Sequence, residues 1–124
     1  MLEALFPHVW TKDTSAFPEW WDEEDPSRGQ CLPTAWIAQR YLGGRVMEIN
    51  LPHPRFIHYV NQLPCGRVID FTAAQLIGLD ISWRADQMSE LTPELFDAYR
   101  KIFPGVDVRY RLFERRFQEI SLQV

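Results

Sequence analysis

The sequence predicts an α+β fold in which a small antiparallel sheet packs against a helix that bears Cys31 at its N-terminus. Three observations lead there. An apolar run of helical character opens at Cys31 and stops at Gly43-Gly44. Three runs of strand character follow between Arg45 and Phe71, and helical periodicity returns after Thr92.

Bulk properties set the frame. A chain of 124 residues and 14.7 kDa fits a single domain over 1–124 with one core. At 46% hydrophobic and 24% charged residues, the balance is globular and excludes a disordered chain. No apolar run approaches the ~18 residues of a membrane span, so no membrane partner is expected. Met1-Leu2-Glu3-Ala4-Leu5-Phe6 has neither a basic region nor a long apolar core, so no secretory signal is expected and the cytoplasm is the expected location. A net charge of -4 and a pI near 5.3 exclude a general nucleic-acid binder. The acidic run Glu19, Asp22, Glu23, Glu24, Asp25 and the basic run Arg109, Arg111, Arg115, Arg116 read as solvated faces, the basic one able to grip an acidic partner. The two cysteines match neither a disulfide framework nor zinc spacing, so neither a metal nor another cofactor is expected.

Residues 1–10 fit a short helix or an extended lead-in. Residues 11–30, rich in Pro, Asp and Ser, read as an irregular segment with Phe17, Trp20 and Trp21 available to anchor it. A loop of that length in a compact domain is commonly functional. The helix from Cys31 gains from Pro33, whose missing N–H costs nothing in a first turn. Ala35, Trp36, Ile37, Ala38, Tyr41 and Leu42 give it a broad apolar surface, and Gly43-Gly44 closes it.

Strands are expected at Arg45 to Leu51, Phe56 to Gln62 and Gly66 to Phe71, the last two joined around Pro64-Cys65-Gly66. Thr72 fits an N-cap for a short turn through Ala73-Ala74-Gln75-Leu76. Thr92-Pro93-Glu94 opens a helix to about Phe103, and Pro104-Gly105 ends it. A strand-like run, Val106 to Val108, then leads into a C-terminal helix around Tyr110 to Ile120.

Chemistry gathers at Cys31. A helix N-terminus presents free N–H groups and a positive dipole end, both of which stabilise a thiolate. Gly29-Gln30 before it allows close backbone approach and offers a nearby amide, and the backbone donors of the helix end suit an oxyanion hole. If Leu63-Pro64-Cys65 is a three-residue loop, Gln62 faces Gly66, Val60 faces Val68 and His58 faces Asp70 on one side of the sheet. Ile57, Tyr59, Ile69 and Phe71 then take the other. A slip of one residue would separate His58 from Asp70, so the pairing needs an odd-numbered loop or a bulge. In that register Asp70 orients His58, His58 takes the thiol proton and returns it to the leaving group, and Cys31 is the nucleophile. The helix bearing Cys31 is expected to lie across the His58 face.

The remaining candidates read as structural. Cys65 belongs to an exposed turn, His53 to a solvated rim between Pro52 and Pro54, and His8 to the lead-in. Trp10, Trp20, Trp21 and Trp36 read as anchors of the early loop rather than as a substrate groove. Asn61, on the face opposite His58, reads as a structural amide, and Tyr59 as core.

Several blocks carry a resemblance. They are Trp10-Thr11, Asp13-Thr14-Ser15, Trp20 or Trp21, Pro26-Ser27-Arg28-Gly29-Gln30-Cys31 with Thr34-Ala35, Tyr41-Leu42-Gly43-Gly44, His58-Tyr59-Val60-Asn61, and Gly66 with Ile69-Asp70-Phe71-Thr72-Ala73-Ala74-Gln75. Together with Arg109-Tyr110-Arg111-Leu112-Phe113 they resemble the YunG-like family of small proteins over most of the chain. The resemblance implies a minimal transglutaminase-like or papain-like core with Cys on a helix and His and Asp on adjacent strands. It carries over to Cys31, His58 and Asp70 as catalytic residues, with Gln30 contributing to oxyanion or substrate binding. Leu32-Pro33 departs from the small apolar pair usual after the Cys. The expected function is cysteine-dependent acyl transfer or amide hydrolysis on a peptide, amide or small-molecule substrate. The alternative is a non-catalytic binding or regulatory module on the same scaffold.

Overall fold

The computed structural model describes residues 1–52, 55–73 and 88–123. It is α+β, with helices α1 (Leu2–Val9), α2 (Cys31–Leu42), α3 (Pro93–Ile102) and α4 (Pro104–Ser121). Strands β1 (Arg45–Pro52), β2 (Arg55–Gln62), β3 (Val68–Ile69) and β4 (Met88–Glu90) form one antiparallel sheet in the order β3-β2-β1-β4. Among the described residues no helix is long and apolar enough to cross a membrane.

The lead-in is a helix because Leu2, Leu5, Phe6 and Val9 recur at helical spacing and all four are buried. Phe6 is fully buried at the centre of an aromatic group formed with Trp10, Phe71, Phe113 and Phe117. Helix α2 runs as expected from Cys31 to Leu42, and every residue from Pro33 to Ala38 is buried. So continuous a buried stretch places it at the centre, between the sheet and the α1/α4 layer.

Strand β1 is buried on the Met47/Ile49 face and at Val46 on the other, where Glu48 is half-buried and Asn50 exposed. Val46 joins the main core, whereas Met47 and Ile49 form a second apolar cluster with Val60, Val68 and Met88. The strand pairs on both edges, with β2 and with β4, so it lies inside the sheet. Strand β4 has no counterpart among the expected elements.

The β2–β3 hairpin is offset from the expected register. Asn61 pairs with Ile69 and Gln62 with Val68. Leu63 N donates to Arg67 O at 2.8 Å, so the loop is Pro64-Cys65-Gly66, one residue later than Leu63-Pro64-Cys65. The cause is local: Gly66 N closes a turn onto Leu63 O at 2.8 Å, and Gly66 holds φ +92°, which Cys65 could adopt only at a steric cost. The loop stays odd-numbered, so each partner moves by two and side-chain parity survives. Strand β3 also ends after two residues, leaving Asp70 just beyond it.

Helix α3 follows the expected signal, with Thr92 Oγ1 accepting from Leu95 N at 3.2 Å. The chain does not then pass through a strand at Val106 to Val108. Phe103 makes the corner at φ -119°, ψ 88°, and Pro104 starts α4. Proline at the first helical position serves a start as readily as it follows a stop. Val106, Tyr110, Phe113, Phe117 and Ile120 then form one continuous apolar stripe on the core.

Candidate active site

Cys31 is the first residue of α2, and the segment before it decides where that helix begins. Gln30 occupies the cap position without capping through its side chain. Instead its fully buried carboxamide accepts from Thr14 Oγ1 at 2.8 Å and donates to Thr11 O at 2.8 Å. Both ends are held by the 3₁₀ turn at Lys12–Thr14, and Gln30 does not line the cavity beside Cys31. The expected oxyanion amide is thus tied into the early loop.

Gly29 is also used internally. Its φ is +74°, and a Cβ there would overlap Ser15 Oγ and come within 2.8 Å of Ala16 N. Ala16 N bonds to Gly29 O at 3.0 Å, and Ser15 Oγ donates to Arg28 O at 2.7 Å. The space on its Cβ side is therefore filled by Ser15 and the Ala16 backbone, while Gly29 itself lines the cavity beside Cys31. Phe17 and Trp21 are partly buried, and Trp21 Nε1 donates to Pro26 O at 3.1 Å, whereas Trp20 is 66% exposed and anchors little. Trp10 Nε1 donates to Thr34 Oγ1 at 2.9 Å, pinning α1 to the second turn of α2.

His58 is fully buried on β2. Its Nε2 lies 2.7 Å from Asp70 Oδ2, and its ring also hydrogen-bonds Cys31. Burial is the largest single influence on the imidazole and pulls its pKa down. The bonds and charges of Asp70 and Cys31 outweigh it, and the value is raised to about 9. Asp70 Oδ1 accepts from Thr72 N at 3.0 Å and lies 3.4 Å from Thr72 Oγ1, so both carboxylate oxygens are engaged. Sequence reading gave Thr72 a capping role in a turn that lies mostly outside the described residues. The usable signal was the Asp-x-Thr spacing of an Asx turn.

Helix α2 does not rest its body across the His58 face. Asn61, of opposite parity, donates to Ala35 O at 2.8 Å, and Tyr59 packs on the main core. A helical carbonyl keeps a second lone pair, and the buried Asn61 amide uses it to fix α2 on that face. It is the N-terminal residue of α2 that meets His58.

Cys31 also lines a cavity of about 290 Å³ whose walls are mostly apolar, among them Phe17, Leu32, Ile57, Phe96 and Val106. It is the residue shared by the cavity and the His58/Asp70 cluster. Among the described residues no three His, Cys, Asp or Glu side chains assemble as a metal set. Cys65 is exposed in its loop, His8 is exposed, and His53 lies outside the described residues. The arginine-rich run separates into distinct roles. Arg111 bonds Asp107 at 2.8 Å, Arg116 reaches Thr11 Oγ1 and Asp13, Arg115 is exposed, and Arg109 lines the cavity.

The family model described as YunG protein matches residues 1–120 of the chain. No curated protein and no solved structure matches it.

Proposed function

The chain belongs to the YunG family, and from that premise we propose that it is a cysteine-dependent acyl-transfer or amide-hydrolysing enzyme with a transglutaminase-like or papain-like centre. The reading rests on one observation: a buried imidazole that bonds both a carboxylate and a thiol at a helix N-terminus, with its pKa raised to about 9. At neutral pH that ring is cationic, and a cation beside Cys31 stabilises the thiolate.

With Nε2 on Asp70, Nδ1 is the nitrogen that addresses the thiol. The thiolate attacks the substrate carbonyl carbon, and the carbonyl π electrons move onto oxygen. Pro33 has no N–H, so the amides of Cys31 and Leu32 are the helix-end donors available to that oxyanion. Collapse expels the amine, which takes the proton from His58 and leaves a thioester on Cys31. Neutral His58 then deprotonates water or an acceptor amine, which releases the acyl group and restores the pair. Asp70 holds the ring and balances its charge. Both thiols are free, as a reducing cytoplasmic setting would keep them.

The test is the rate of iodoacetamide labelling of Cys31 against pH in a Cys65→Ser background. Labelling at pH 6 should run at a rate close to that at pH 8, and His58→Ala should remove the pH 6 reaction. Equal profiles in the two proteins, each rising only toward the free-thiol range near ~8.5, would sink the reading.

A further inference from the structure

Resting on that reading of Cys31, we infer that Arg109 is a specificity residue, and that the cavity takes a substrate with an apolar or aromatic body ending in a carboxylate. Of the side chains lining this cavity, Arg109 alone is cationic, and it has no hydrogen bond or ion pair among the described residues. That sets it apart from its neighbours. Arg100 and Arg111 share Asp107 at 2.6 and 2.8 Å, Arg40 is on Glu114 at 2.5 Å, and Arg116 is on Thr11 and Asp13.

Arg109 is only partly exposed, and burial draws its pKa down, the mark of a charge that has lost water without gaining a counter-ion. A bidentate guanidinium in that state is matched by a planar carboxylate. Its Nη1 lies against Gly105 in the first turn of α4, so the guanidinium sits beside the positive end of an 18-residue helix. The walls are mostly apolar, Phe17, Ile57, Phe96 and Val106 among them, and the Thr14 and Tyr110 hydroxyls are engaged by Gln30 and Arg40. An apolar body therefore suits the span between the scissile carbonyl at Cys31 and the carboxylate at Arg109. About 290 Å³ admits one aromatic or branched aliphatic unit rather than an extended peptide.

Binding is measured on Cys31→Ala protein, which needs no catalysis, with two acid–amide pairs. These are 3-phenylpropionate against 3-phenylpropionamide, and N-acetylphenylalanine against its amide. The acid should bind at least tenfold more tightly than the amide in one or both pairs. The preferred pair separates a free carboxylate from a peptide C-terminus. Arg109→Gln should abolish the preference, Arg109→Lys should keep part of it, and Arg109→Gln should raise the melting midpoint because a desolvated charge is relieved. Equal affinity for acid and amide in both pairs, or a preference that survives in Arg109→Gln, overturns the inference. A second arm compares labelling of Cys31 in the active protein by 4-(iodoacetamido)benzoate and N-phenyliodoacetamide, in which sulfur displaces iodide to form a thioether. An acid preference in the binding arm with ordinary thiol reactivity would refute the enzyme reading and leave the carboxylate site standing.

Discussion

Asp70 meets His58 diagonally across the β2–β3 hairpin. Continuing the Asn61–Ile69 register places Asp70 opposite Val60, yet its Oδ2 lies 2.7 Å from His58 Nε2 while Oδ1 is held by Thr72 N. The carboxylate is thus aimed by a turn beyond the strand end rather than by direct pairing. Asp70→Asn keeps the shape and removes the charge. The imidazole pKa, followed by the His58 ring resonances in NMR, should fall from about 9 by roughly one pH unit or more. Thr72→Ala should produce a smaller fall in the same direction. An unmoved titration in Asp70→Asn would show that Asp70 does not set the ring's charge.

The raised imidazole pKa also makes stability depend on pH. His58 stands at 6.5 when unperturbed and at about 9 in the fold, so the native state binds the proton more tightly. Its contribution is complete below 6.5 and is lost as pH rises through about 9. The upper limit is on the order of 3 kcal/mol, taking ~1.4 kcal/mol for every tenfold gain in proton affinity. Urea unfolding at pH 6 and pH 9 should give a lower midpoint at pH 9, and Asp70→Asn should flatten the difference. A wild-type midpoint that rises from pH 6 to 9 while the variant's stays level would refute the sign.

Where local chemistry decided the outcome, the sequence was legible. Helix α2 follows from Pro33, an apolar run and a glycine pair, and the parity that brings His58 to Asp70 survives because the hairpin loop is odd-numbered under either reading. The errors fall where one local signal serves two structures. Pro104 marks a helix start as well as a helix end, and only the Val106–Ile120 stripe taken whole distinguishes them. Gly29 lines the cavity beside Cys31, but the packing of Ser15 and Ala16 on its Cβ side is a contact between residues far apart in the chain, which local pattern does not report. Gln30 and Thr11 are 19 residues apart in the chain, so no window of local pattern reports their bond. Likewise β4 exists because β1 has a free edge, which is a tertiary fact. Arg109 resembled its arginine neighbours until the cavity distinguished it.

Two glycines with similar backbone angles should behave differently. Gly66 has φ +92° with nothing within 4 Å of a Cβ, whereas Gly29 has φ +74° and a Cβ there meets Ser15 and the Ala16 backbone. Gly66→Ala should cost only the left-handed penalty, about 1–2 kcal/mol. Gly29→Ala adds overlap with backbone that cannot retreat without breaking the Ala16–Gly29 bond, so it should cost more than ~3 kcal/mol and slow Cys31 labelling. Thermal unfolding of the two variants side by side tests this. Equal destabilisation would mean that the early loop does not brace the start of α2.

Gln30 poses the sharpest choice between two roles. An oxyanion donor touches substrate, so its loss would lower turnover while the fold stays intact. A positioning residue acts through what it holds, and Gln30 holds Thr11 and Thr14 from a fully buried site. Gln30→Ala would remove the two buried hydrogen bonds that tie α2 to the early loop, leaving the Thr11 backbone and the Thr14 hydroxyl bonded only to each other, and would open a void, together about 2–4 kcal/mol. The melting midpoint should therefore fall by several degrees, along with the Cys31 labelling rate at pH 6. Gln30→Glu should do worse, since it removes the donor to Thr11 O and buries a carboxylate. Iodoacetamide labelling of Cys31 does not pass through an acyl oxyanion, so it separates the two roles. Unchanged stability and labelling with reduced amide turnover would return Gln30 to the oxyanion hole, whereas a joint loss of stability and labelling keeps it as the brace that fixes where α2 begins.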